Sequence, residues 1–210
     1  MTVTPAYLLF AAALCRATLV SATDADWGAP ASELDTTCRD TLDHIVSAQT
    51  FYATQLANAA PTHLPRLRRH NPGAPLADML ELVPAAAAVL AAAARAGGPE
   101  VRAFHPAGMA DAEGFLAMGC DEILVHTGDV AGGLGVTFAP PADLCARVVA
   151  RLFPWAPSDT DPWPTLLWAN GRAPLGDRER LDPDWSWQCA PLAEWDGEVK
   201  RRTKPPSWTP

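Results

Sequence analysis

The sequence predicts an all-α chain: a bundle of four long helices, a short fifth helix, and a C-terminal extension rich in Trp and Pro. Three observations carry the prediction. Apolar residues recur at helical spacing through four long segments. Gly and Pro punctuate the connections between them. Strand-like and helix-like patterns do not alternate, which argues against an α/β enzyme fold and leaves a bundle.

The first helix is expected over Pro5 to Ala22, stopping before the polar stretch Thr23-Asp24-Ala25-Asp26. Its apolar run from Ala6 to Leu14 has the look of a signal-peptide core. However, no Lys or Arg precedes it, Arg16 interrupts it, and the run falls short of the roughly 20 residues that span a bilayer. It therefore reads as a buried helix. The second helix is expected over Thr37 to Ala59, with Leu42, Ile45, Val46, Tyr52 and Leu56 on its apolar stripe and Pro61 beyond its end. A basic, Pro-rich connection follows, Pro65 to Gly73. The third helix, Ala77 to Ala96, contains an alanine tract of very high helix propensity and ends at Gly97-Gly98-Pro99. The fourth, Asp111 to Ala131, opens on an N-cap aspartate and closes at Gly132-Gly133. A shorter helix runs from Pro141 to Leu152, and Pro154 closes it. A last short one is expected from Thr165 to Asn170, ending at Gly171. No strong strand pattern is visible.

These elements suggest a bundle over residues 1–154, an extension over 155–197 packed on it, and a flexible tail over 198–210. The extension carries Trp163, Trp168, Trp185, Trp187 and Trp195. Each indole can bury on the order of 200 Å², so the segment is expected to wrap the bundle.

Sixteen Lys and Arg against 24 Asp and Glu give a net charge of −8. That balance argues against nucleic acid as the main partner and against an anionic membrane surface. Five scattered cysteines, Cys15, Cys38, Cys120, Cys145 and Cys189, include no C-x-x-C pair. They read as reduced, buried thiols of a cytoplasmic protein.

The chemistry concentrates in the fourth helix. It is apolar almost all round, yet carries Glu122 and His126 four residues apart, on one face. A buried carboxylate and imidazole need partners, and one divalent ion would satisfy both; an ion pair between them would too. His44 on the second helix flanks the apolar stripe and is the candidate third ligand, against a satisfied interior histidine. His63, His70 and His105 stand in expected loops near prolines and are weaker candidates. Asp129 falls near His126 and either hydrogen-bonds it or caps the helix end. Arg66, Arg68 and Arg69 either bind a carboxylate or form a solvated loop. Gly132 to Gly135 follows a helix and lacks Gly-Lys-Ser/Thr, so it is a helix stop and not a phosphate loop. Cys38 lies six residues before His44, off its helical face, which makes it a poor nucleophile.

The order and spacing of these residues resemble a known family. Thr37-Cys38-Arg39-Asp40 running on to His44, followed by Glu122, His126 and Asp129, is similar to the metal-binding domain of mycothiol-dependent maleylpyruvate isomerases, in the DinB-like superfamily. The segment Pro162 to Arg172 is similar to a C-terminal signature of actinobacterial relatives. Thr36 stands where the family motif has Trp, and the Trp-rich extension stands where the isomerase has a separate C-terminal domain. The resemblance implies a DinB-like four-helix bundle with one divalent metal, zinc by default, on His44, Glu122 and His126, and Asp129 beside them. Nickel, iron and manganese also suit imidazole and carboxylate. Three protein ligands leave a position open, the mark of a catalytic site. By resemblance that position takes mycothiol or another low-molecular-weight thiol, which makes the chain a thiol-dependent S-transferase or isomerase acting on a small electrophile, as a monomer or homodimer. The alternative expectation is a non-catalytic metal-binding or regulatory module whose tryptophans bind a protein partner.

Overall fold

A computed structural model describes residues 1–67 and 71–202. The described chain is mostly helical, with one small two-stranded sheet. Helix α1 spans Pro5–Leu19 and runs into a single 3-10 turn, Val20–Ala22. Helix α2 spans Cys38–Ala57; its N-cap is Thr37, whose side chain accepts from the Asp40 N–H. Helix α3 spans Leu76–Ala96 and continues through Pro84, where one backbone donor is missing. Helix α4 spans Ala112–Gly133, with Asp111 as N-cap accepting from the Gly114 N–H. It overruns the expected end by two residues, because both glycines stay helical. The left-handed residue that turns the chain away is Gly135 (φ 68°), and Val136 N–H closes the end on the Ala131 carbonyl at 2.8 Å. Helix α5 spans Ala142–Leu152 and helix α6 spans Pro162–Ala169. The latter starts three residues before the expected Thr165, because Pro162 is favourable in a first turn and Asp161 caps it.

Around the core, α3 and α4 each pack against both α1 and α2. The four helices bury Leu8, Leu42, Ile45, Leu80, Leu90, Phe115 and Ile123 between them. Two helical stretches, Pro5–Ala22 and Leu76–Ala96, are long and apolar enough to cross a membrane by length and composition. The first is longer than the run from Ala6 to Leu14 suggests, because the apolar pattern resumes past Arg16. In the fold both helices lie side by side, each with one face in the core.

Two further expectations are corrected. A hairpin is present: β1 (Ala103–His105) pairs antiparallel with β2 (Gly108–Ala110), Phe104 opposite Met109. Three-residue strands are too short to show a period of two, and the turn is made possible by Gly108 at φ 134°. The expected free tail does not begin at Glu198. Ser186 N–H donates to the Lys200 carbonyl at 3.1 Å, Arg202 N–H donates to the Asp184 carbonyl at 2.5 Å, and the Arg202 guanidinium lies 4.8 Å from the Trp185 ring centroid. The rest of that segment, 203–210, lies outside the described residues.

The extension is fastened to α4 through buried polar groups. Arg151 of α5, 1% exposed, donates to the carbonyls of Gln188 and Cys189 at 2.8 and 3.2 Å and to Asp111 Oδ1 at 2.5 Å. Asn170 Nδ2 donates to Asp121 Oδ1 at 2.8 Å, and Trp187 Nε1 donates to Asp121 Oδ2 at 3.0 Å.

Candidate metal centre

The two helices that meet at the site are brought close by glycine. Gln49 of α2 donates to the Gly119 carbonyl of α4 at 3.1 Å, an approach that a side chain at 119 would obstruct. One turn further on, α4 delivers Glu122 and then His126, and α2 delivers His44. The three residues converge. His44 Nε2 lies 3.1 Å from Glu122 Oε2, and His126 Nε2 lies 3.2 Å from the same oxygen. The two imidazole rings stand edge to face, 5.0 Å between centroids. One donor atom from each residue lies within 4.8 Å of the other two.

The surroundings point the same way. Tyr52 hydroxyl donates to Glu122 Oε1 at 2.9 Å. Asp129 Oδ2 lies 3.0 Å from His126 Nδ1, and Arg172 donates to Asp129 at 3.1 to 3.2 Å. Arg172 reaches Asp129 because α6 ends in a tight turn at Gly171 (φ 61°), where a Cβ would press against the Trp185 indole. The same turn aims Asn170 at Asp121. The segment from Pro162 to Arg172 therefore contributes two side chains to the back of the site.

The electrostatics are dominated by burial and by unlike charges in contact. Burial works against a charge on His126, but the hydrogen bonds with Asp129 and Glu122 outweigh it and push its pKa up to about 9. Burial likewise opposes charge on Glu122, and the flanking histidines overcome it, holding the carboxyl well below the usual carboxylate range. Asp129 is lowered against its own burial by His126 and then Arg172. Asp121 behaves oppositely: burial drives it up to about 7 despite the bonds from Asn170 and Trp187.

The donor set fits a divalent ion. With both ring nitrogens of His126 facing carboxylate oxygens, the ring must carry a proton on each nitrogen or exchange the Nε2 proton for a metal. His44 Nε2 faces the same Glu122 oxygen, so one cation in place of two N–H donors satisfies all three side chains. Imidazole and carboxylate suit zinc and its neighbours.

The cluster opens on a cleft of about 930 Å³ whose walls include Thr36, Arg66, Arg172, Trp185 and Arg202. Thr36 forms part of one wall. Arg66 donates to Ser47 Oγ at 2.7 Å and lies over the Phe51 ring; Arg68, Arg69 and His70 lie outside the described residues. His63 packs near Phe51 and Phe104, away from the cluster. His105 is buried against Tyr52 and Trp187, and its Nδ1 accepts from the Ala107 N–H. No cysteine lines the cleft. All five are buried, and burial pushes Cys15, Cys145 and Cys189 up to about 12 and raises Cys38 and Cys120 as well.

Sequence reasoning passed over three residues here. Tyr52 belongs to the apolar stripe of α2, and its spacing of eight residues from His44 was the available signal. Asp121 and the Arg172 contact depend on partners more than 40 residues away, and no local pattern announces them. No family model, curated protein or solved structure matches the chain.

Proposed function

We propose that the chain is a DinB-like four-helix bundle that holds one divalent metal ion, zinc by its donor set, between His44, Glu122 and His126, and transfers or isomerises a small electrophile with the help of a low-molecular-weight thiol of the mycothiol class. The observation that carries the reading is the convergence of three donor atoms within 4.8 Å at one end of a roomy cleft. Such an ion would supply a thiolate at neutral pH by stabilising the deprotonated sulfur. The chain's own residues do the rest. Glu122 and the two imidazoles would hold the ion, Asp129 fixes the orientation of His126, and the indole of Trp185 forms part of the cleft wall. The thiol has to come from outside, because every cysteine of the chain is buried with a raised pKa. This reading places the protein in the cytoplasm, where small thiols are kept reduced, as a monomer or homodimer without nucleic-acid or membrane partners. The reading as a partner-binding module would draw support from exposed tryptophans, and every tryptophan among the described residues is buried or half-buried.

The test is metal content per chain of protein purified without chelator, beside His126→Ala. About one equivalent in the parent and far less in the variant is the expected result, followed by metal-dependent conjugation of a small thiol to members of an electrophile panel. No metal in either protein after reconstitution would overturn the proposal. Metal without any thiol conjugation would overturn its catalytic half.

A further inference from the structure

Glu122 is held by α2 through both of its oxygens. His44 and Tyr52 stand eight residues apart on α2, about two turns along one stripe, and straddle the carboxylate that α4 presents. His44 Nε2 lies 3.1 Å from Oε2, while Tyr52 hydroxyl donates to Oε1 at 2.9 Å. His126 Nε2 also faces Oε2, at 3.2 Å. The oxygen turned to the histidines and the oxygen turned to the phenol are therefore different atoms. The phenol is the donor of its bond, since a carboxylate oxygen can only accept. Its ring is wedged between His105 and Phe115, with centroids 5.4 and 5.8 Å away. Phenylalanine would fill that space without burying a hydroxyl, and a buried hydroxyl is costly unless it is bonded.

We infer that Tyr52 is a positioning residue of the metal centre: it occupies Oε1 of Glu122 and leaves Oε2 as the single oxygen facing His44 and His126. The inference rests on reading those three residues as ligands. A carboxylate free to turn would offer both oxygens to the ion and take up room that an incoming ligand needs. Tyr52 would keep that room clear by holding Oε1 of Glu122.

The experiment loads the full chain with Co(II) and compares the parent with Tyr52→Phe and Phe51→Leu. Phe51 is the buried neighbour of Tyr52, and its ring meets those of Tyr52 and His63. Affinity is read by competition with a chromophoric chelator, and the ligand field by visible absorption. Tyr52→Phe is expected to weaken cobalt binding about tenfold or more and to change the shape and intensity of the visible bands. Phe51→Leu is expected to leave the bands as they are. Unchanged affinity and bands in Tyr52→Phe would overturn the inference while the metal reading stands. The same spectral change in both variants would also overturn it, since that is general loosening of the core. A parent that takes up no cobalt would overturn the metal reading and this inference together.

Discussion

His126 is enclosed by carboxylates on both sides, Glu122 at Nε2 and Asp129 at Nδ1, and Arg172 balances the second of them. An imidazole held this way has its ring orientation fixed by the protein itself. Asp129 does this work through one hydrogen bond, so Asp129→Asn, which keeps the shape and removes the charge, is expected to lower metal affinity about 10- to 100-fold. Chelator competition measures it. An affinity equal to the parent's would reduce Asp129 to a partner of Arg172 alone. At this scale the sequence was informative wherever the partners share a helix or a recurring spacing. Glu122, His126 and Asp129 are neighbours along one helical face, and His44 flanks the apolar stripe of another. It was silent wherever the partner is remote. Nothing near Asp121 hints that Asn170 and Trp187 will converge on it, and Tyr52 among apolar neighbours looks like core until Glu122 is seen opposite its hydroxyl.

Helix α4 is the element on which the rest of the site depends, and its glycines decide how closely it is approached. At Gly114 a Cβ would overlap the Cys189 carbonyl oxygen and crowd Asp111 Oδ1 and Arg151 Nη2, at 2.9 and 3.0 Å. Alanine there would gain about 1 kcal/mol in helix propensity. Against that stands displacement of a backbone segment from a buried, charge-assisted junction, and overpacking of this kind costs about 1–3 kcal/mol or more. The steric cost wins because backbone cannot turn aside as a side-chain end can. Gly114→Ala is therefore expected to lower the midpoint of urea unfolding and to loosen the 188–189 segment, seen as faster amide exchange there. A stabilised variant would mean that the junction yields cheaply. Gly119 differs, since the atoms a Cβ would meet are the ends of Gln49, Leu8 and Leu90 side chains. The long elements were legible because each helix repeats its apolar period over many residues and is bounded by recognisable chemistry such as Asp111 before α4 and Gly97 after α3. The β1–β2 hairpin and the pairing of 200–202 with 184–186 were not. Both are short and stabilised by what they lie against.

His105 shows how the whole assembly sets a single group. It stands on β1, which is tied to the end of α2 by Phe104 N–H donating to the Ala60 carbonyl at 2.7 Å, and its ring meets Tyr52 of α2, Phe115 of α4 and Trp187 of the extension. Only when all of these have come together is the imidazole 3% exposed. Burial then lowers it from 6.5 to about 3. The charge of Glu122 opposes the shift, and those of Arg202 and Arg66 add to it. Between those two values the unfolded chain binds a proton that the folded chain does not, so folding loses stability as pH falls below 6.5, at up to about 1.4 kcal/mol per pH unit. Carboxylates elsewhere also titrate, and a difference between two proteins removes them. His105→Gln keeps a polar side chain of similar reach without the titration. It is expected to be less stable than the parent at pH 7, and the gap should shrink by about 2 kcal/mol at pH 5. Urea unfolding of metal-free protein at both pH values measures this, since an ion at the neighbouring site would add a pH dependence of its own. A gap that stays constant would mean that His105 is protonated in the fold, and that Trp187 does not seal it from water.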